Sequence, residues 1–239
     1  AEGVFEDIGN LTGSGIVTNQ GGPATTSTIA LRSSGTNTFS GSIQNGASGG
    51  VTALQIGLAG IGSPATAAGT FTLSGTNTYT GDTTFGQDQE SSSLVSLTLS
   101  STGSLAFKPG ANGVCNKITS VQPQSTGTVT LDGTFNLDLS GAAIANGNQW
   151  LLVDVDNLNE DFNTGGTFNI PGFTADTPAA NQWQKVDGDK TWTFNEATGL
   201  LSLAYSGVVS GYSTWATANG IPGQPADGDY DNDGLSNLE

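Results

Sequence analysis

The chain has 239 residues, 36 of them glycine, and its 21 acidic against 5 basic side chains leave a net charge of −16 although only 11% of residues are charged. Five cations cannot neutralise a phosphate backbone or hold to an anionic bilayer, which excludes nucleic acid and acidic lipid surfaces as partners. With no histidine and a single cysteine, Cys115, the common serine and cysteine triads, His-metal centres and an intrachain disulfide are excluded too.

Apolar residues make up 35% of the chain and fall in short runs between turn residues, and proline is only 8. That texture predicts many short strands rather than a disordered chain. No run is long enough for a secretory leader or a membrane-crossing helix. With Met also absent, the expectation is a leader already removed, and therefore export.

In chain order, the first echo is residues 11–15, LTGSG. The clearest follows: residues 34–41, SGTNTFSG, match residues 74–81, SGTNTYTG, at an offset of 40, with six of eight positions identical. Weaker echoes stand at residues 99–105 and 131–135. Fixed-period similarity is the mark of stacked repeats, so 40 predicts one long unit or two coils of about 20 residues. Thr70-Phe71-Thr72-Leu73 and Thr78-Tyr79-Thr80 alternate with period two, placing Phe71 and Leu73 on one face and threonines on the other. A glycine after each run permits a sharp corner. Residues 33–81 hold no charge at all, as expected where Asn, Thr and Ser form ladders between like positions of neighbouring rungs.

Cys115 reads as a small buried apolar residue, with no histidine to activate it. From Gly127 the texture changes: residues 128–139 alternate around Asp132-Gly133, a hairpin or corner signal. Residues 149–156 read as a largely buried strand. Residues 183–186, 191–194 and 201–205, separated by Asp187-Gly188 and Ala197-Thr198-Gly199, predict a three-stranded antiparallel meander able to cap a stack. Residues 206–226 read as a linker with one helical turn at 213–218. The predicted organisation is a β-solenoid region at 1–126, further coils with an antiparallel cap at 127–206, and a linker with an acidic tail at 207–239.

Residues 73–84, LSGTNTYTGDTT, resemble the signature of the autotransporter-associated β-strand repeat. The stretches at 131–139, 147–154, 165–168 and 192–203 are similar to the segment that follows such repeats in exported bacterial proteins, many with PEP-CTERM-type tails. The resemblance covers about two thirds of the chain. It implies an extracellular or surface passenger: an all-β, right-handed parallel β-helix with an antiparallel C-terminal meander. It implies no particular chemistry.

The sharpest chemical motif is in the tail. A hard cation needs several oxygens converging from one short loop. Asp229, Asp231 and Asp233 hold loop positions 1, 3 and 5, Gly234 turns the chain, Leu235 offers its carbonyl at 7, and Asn237 stands at 9. This resembles the calcium loops of dockerins and thrombospondin type 3 repeats, so calcium is the expected ion, with Glu239 or Asp227 replacing the ligand at position 12. Asp154, Asp156, Glu160 and Asp161 near Trp150 meet the bare requirement of glycoside hydrolysis, two carboxylates, but read better as a surface loop. The tryptophans Trp150, Trp183, Trp192 and Trp215 could be sugar platforms, though the first three fit core packing better. The expectation is a non-enzymatic structural or surface protein that associates with itself into a filament or layer, or spaces an adhesin. A carbohydrate-binding or carbohydrate-degrading exoprotein, with surface glycans as ligand, is the alternative.

Overall fold

A computed structural model describes residues 5–31, 35–57, 69–85, 95–120, 127–155, 159–162, 165–175, 181–205, 212–220 and 228. The protein is all-β apart from a 3₁₀ turn and the short helix Tyr212–Ala218. It divides into two compact units, residues 1–142 with 151–171, and residues 143–150 with 172–239.

In the first unit every strand pairing is parallel, and the strands of each sheet lie side by side in chain order. One sheet runs Phe5–Ile8, Thr26–Leu31, Val51–Ile56, Thr83–Phe85, Ile118–Ser120, Val153–Asp154. A second runs Gly35–Phe39, Gly69–Leu73, Val95–Leu99, Thr128–Leu131, Asn159–Phe162. A third position is held by two pairs, Ile16–Thr18 with Ser42–Gln44 and Ser104–Phe107 with Thr134–Leu137. Bridges from Thr76 to Ser104 and from Thr134 to Asn169 extend it. Parallel neighbours need a crossover of a dozen or more residues. Here the connections between neighbours carry strands of the other sheets, as where Ser42–Gln44 and Val51–Ile56 lie between Gly35–Phe39 and Gly69–Leu73.

Alternation decides which side chains go inward. In-register pairing keeps one row of positions on one face. Leu54, Thr83, Ile118 and Val153 form such a buried row in the first sheet. Phe71, Leu97 and Val129 form one in the second, beside Phe39, Leu73, Leu99 and Leu131. Ile43, Leu105, Phe135 and Ile170 line the third side. Phe135 carries Phe107, Phe162 and Phe168 around it, with ring centroids 4.6, 6.1 and 5.0 Å away.

Corners are set by glycine. A Cβ on Gly41 would fall on the Gly15 carbonyl oxygen, one on Gly75 on that of Gly41, and one on Gly133 on that of Gly103. The same carbonyls take the ladder bonds: Ser42 N donates to Gly15 O at 3.0 Å and Thr134 N to Gly103 O at 2.9 Å. Buried asparagine side chains in this unit serve backbone groups of neighbouring strands. Asn77, fully buried, accepts from Ile43 N at 3.0 Å and donates to Gly75 O and Ser104 O at 2.9 and 3.1 Å. Asn45 Oδ1 accepts from both Thr52 N and Thr80 N.

The register differs from the 40-residue echo. Gly35 stands opposite Gly69 and Phe39 opposite Leu73, an offset of 34. The two similar octets therefore occupy different places: residues 35–39 are a strand of the second sheet, whereas Thr76 and Asn77 lie beyond the corner, against Ser104 and Ile43. The weaker echoes carry the register instead, with Leu99 opposite Leu131 and Ser104 opposite Thr134.

The second unit holds an antiparallel sheet in the order Gln149–Leu151, Leu200–Tyr205, Lys190–Asn195, Gln182–Asp187, Thr174–Ala175. Its central three strands are the meander that the alternation predicts. Gly188, with φ 61°, opens the two-residue loop between Asp187 and Lys190, a position where a hairpin turn favours glycine. Trp150 and Trp192 are buried with ring centroids 5.6 Å apart, beside Phe194, Leu201 and Leu203.

Gly75→Ala is expected to cost about 2–3 kcal/mol, because backbone rather than a flexible side chain blocks the new methyl. Gly9→Ala, where nothing lies within 4 Å, should change stability by less than about 0.5 kcal/mol. Urea denaturation of both variants checks the contrast, and equal midpoints would refute close packing at the corner.

Candidate functional site

The proposed calcium ligands Asp229, Asp231, Asp233, Leu235 and Asn237 lie outside the described residues. Among the described residues no cluster of three or more His, Cys, Asp or Glu side chains forms a metal site.

The carboxylates near Trp150 are spread over two sheets. Asp154 stands beside Thr119 at the edge of the first sheet, 3.7 Å from Lys117 Nζ. Asp161 is exposed and stands opposite Thr130 in the second sheet. Glu160 pairs in register with Val129, and Asp156 lies outside the described residues. The pair that a glycosidase requires is thus not assembled by Asp154 and Asp161. The cations are similarly local: Lys108 lies 3.8 Å from Asp138, and Lys190 lies 3.4 Å from Asp189 and 5.8 Å from the Tyr205 ring centroid. Asp138, exposed at the start of a 3₁₀ turn, is held below the usual carboxylate range by hydrogen bonds from the Ser140 hydroxyl and backbone N–H, with Lys108 adding to them.

The tryptophans separate in the same way. Trp150 and Trp192 are core residues. Trp183 is half-buried and its Nε1 donates to Glu196 Oε1 at 2.6 Å, while Trp215, on the helix Tyr212–Ala218, is 47% exposed. No two of them form an open platform among the described residues. Tyr79 is fully buried with its hydroxyl against Thr83 Oγ1 at 2.5 Å, and burial raises its pKa far above that of a free phenol.

Cys115 is half-buried in the segment after Phe107, where Asn116 folds back, accepting from Lys108 N at 2.8 Å and donating to Ala106 O at 2.8 Å. Burial pushes the Cys115 thiol up to about 12, and nearby Asp82 adds to the rise. That is a position for an inert thiol, though half-buried rather than in the buried place that the sequence leads one to expect.

What the described surface does offer is order. The outward positions of the second sheet repeat rung after rung: Thr36, Thr70 and Ser96 in one row, Thr38, Thr72, Thr98 and Thr130 in the other. Sequence inspection marked the alternating threonines at 70–72 but not the grid, since its rungs are unequal distances apart in the chain. Comparison with protein-family models, curated proteins and solved structures finds no match to this chain.

At pH 8, iodoacetamide should modify Cys115 in the native protein more than about tenfold more slowly than in the urea-unfolded chain, because the raised pKa leaves little thiolate. The same shift means that stability falls as pH rises from the ordinary thiol value of 9.0 toward 12, where the unfolded thiol ionises first. Equal modification rates would refute the buried placement.

Proposed function

We propose that the first unit winds as a right-handed β-solenoid, and that the protein is an extracellular structural or surface component that self-associates into a filament or layer. The observation that supports this reading is a pair of parallel strands that stand at sheet edges among the described residues. Among the described residues, strand Phe5–Ile8 pairs only with Thr26–Leu31, and Ile16–Thr18 only with Ser42–Gln44. Phe5 and Ile16 are 52% and 70% exposed. An unpaired edge with apolar side chains is a template for adding another strand, and a contact that does not close on itself grows into a fibre.

The edge also carries its own brake. Glu6 stands in register with Ile29, which pairs with Leu54 on the inward row, so a carboxylate sits where an apolar residue continues the stack. Inward charges at sheet edges oppose uncontrolled pairing. Assembly in this reading is slow and concentration-dependent rather than spontaneous at any dilution. Export and a calcium site built from Asp229, Asp231, Asp233, Leu235 and Asn237 belong to the same reading, supported by the spacing of those oxygens.

Negative-stain microscopy of concentrated protein should show regular fibres or sheets, and Glu6→Val should speed their appearance. Dispersed monomers that bind or cleave glycans, with no fibre at any concentration, would replace this reading with a carbohydrate-active one. Chelator should lower the melting temperature where the acidic loop holds calcium; an unchanged melt removes that site from the account.

A further inference from the structure

The outward face of the second sheet is a two-dimensional grid of hydroxyls and methyls. Four consecutive rungs each present a Thr-x-Thr or Ser-x-Thr pair: Thr36 and Thr38, Thr70 and Thr72, Ser96 and Thr98, Thr128 and Thr130. Pairing is in register with no bulge across the four strands. Parallel-sheet geometry therefore spaces the side chains about 4.8 Å apart between rungs and about 6.6 Å apart along a strand. Thr36 and Thr38 are exposed and the remaining six positions are half-exposed. Acid appears only where the grid ends, at exposed Asp161 opposite Thr130.

Several other hydroxyls of the unit are spent on the backbone of a neighbouring strand: Thr18 on Asn45 O, Ser40 on Gly13 O, Ser42 on Thr76 O, Thr102 on Ser74 O. On the grid Ser96 Oγ accepts from Thr128 N, but the threonine hydroxyls have no hydrogen-bond partner among the described residues. They are donors and acceptors held at fixed spacing and left to solvent.

We infer that this face binds ice: an ordered water lattice is the ligand whose chemistry it matches. The spacings of the grid are of the same order as the oxygen repeats on a prism face of ice. Each methyl restricts the water beside it, and each hydroxyl pins one molecule of the ordered layer. A charged group would orient water about itself and break the pattern, and the grid has none. The two other occupants fit less well. Four rungs give a patch of roughly 200 Å², well short of the about 800 Å² per partner of a stable protein interface. A polysaccharide surface calls for stacking rings beside its hydroxyls, and no aromatic side chain lies on the grid.

The test is freezing hysteresis and ice-crystal shaping by the full chain, read on monomer isolated by size-exclusion so that filament formation does not enter. Wild type is expected to facet ice and hold its growth below the melting point. Thr72→Lys and Thr98→Lys, in the middle of the grid, should abolish both effects, while Thr119→Lys, on the outer face of the first sheet, should leave them intact. Where circular dichroism shows that a central variant has not folded, Thr38→Lys at the exposed first rung of the grid replaces it, with the same loss expected. Unshaped ice with wild type overturns the inference, as does hysteresis unchanged in folded Thr72→Lys. Adsorption to insoluble cellulose or chitin that Thr72→Lys removes, without ice shaping, overturns it in favour of a polysaccharide.

Discussion

At the corner after the second sheet the backbones of successive rungs approach until there is no room for a side chain between them. Gly15, Gly41 and Gly75 follow one another there, then Gly103 and Gly133, and a Cβ at any of the last four would meet backbone of the rung before it. Parallel, in-register pairing of successive strands brings these backbones together at the same point. Glycine is thus used here for close approach, and the polar groups freed at the bend are taken up by ladder bonds such as Ser104 N to Gly75 O at 3.0 Å.

That single constraint distributes everything else. Inward rows are fixed by register, so Leu97 stacks between Phe71 and Val129, and Leu99 between Leu73 and Leu131. Buried Asn77 stands where the chain turns, serving backbone groups of two neighbouring strands that would otherwise be buried without partners. Outward rows carry less structural duty, Ser96 accepting from Thr128 N, and so can hold a regular set of threonines. In strand Phe5–Ile8 the same register places Ile8 beside Leu31 but Glu6 beside Ile29, a carboxylate where an aliphatic side chain would continue the row.

Much of this was legible in the chain. Period-two alternation located strands such as Gly69–Leu73, and Asp187-Gly188 with Ala197-Thr198-Gly199 marked the meander. The register was not legible from identity. Residues 34–41 and 74–81 are nearly the same octet, yet register follows the inward apolar residue and the corner glycine after it. Phe39-Ser40-Gly41 aligns with Leu73-Ser74-Gly75, a match of two residues that looks trivial beside a match of six. Connections of unequal length between rungs hide such a pattern from any fixed period. The stack's in-register grid was invisible for the same reason. The acidic loop at 229–237 has a strong spacing signal of its own, and lies outside the described residues.

The register itself can be measured. Nitroxide labels placed on Thr38→Cys with Thr72→Cys, in a Cys115→Ser background, should show the spin exchange of labels one rung apart, since those positions are paired. Labels on Thr38→Cys with Thr78→Cys, the positions that the 40-residue echo would stack, should show only weak dipolar coupling. Strong exchange for the second pair and none for the first would mean that sequence identity, rather than the glycine corner, sets the stack.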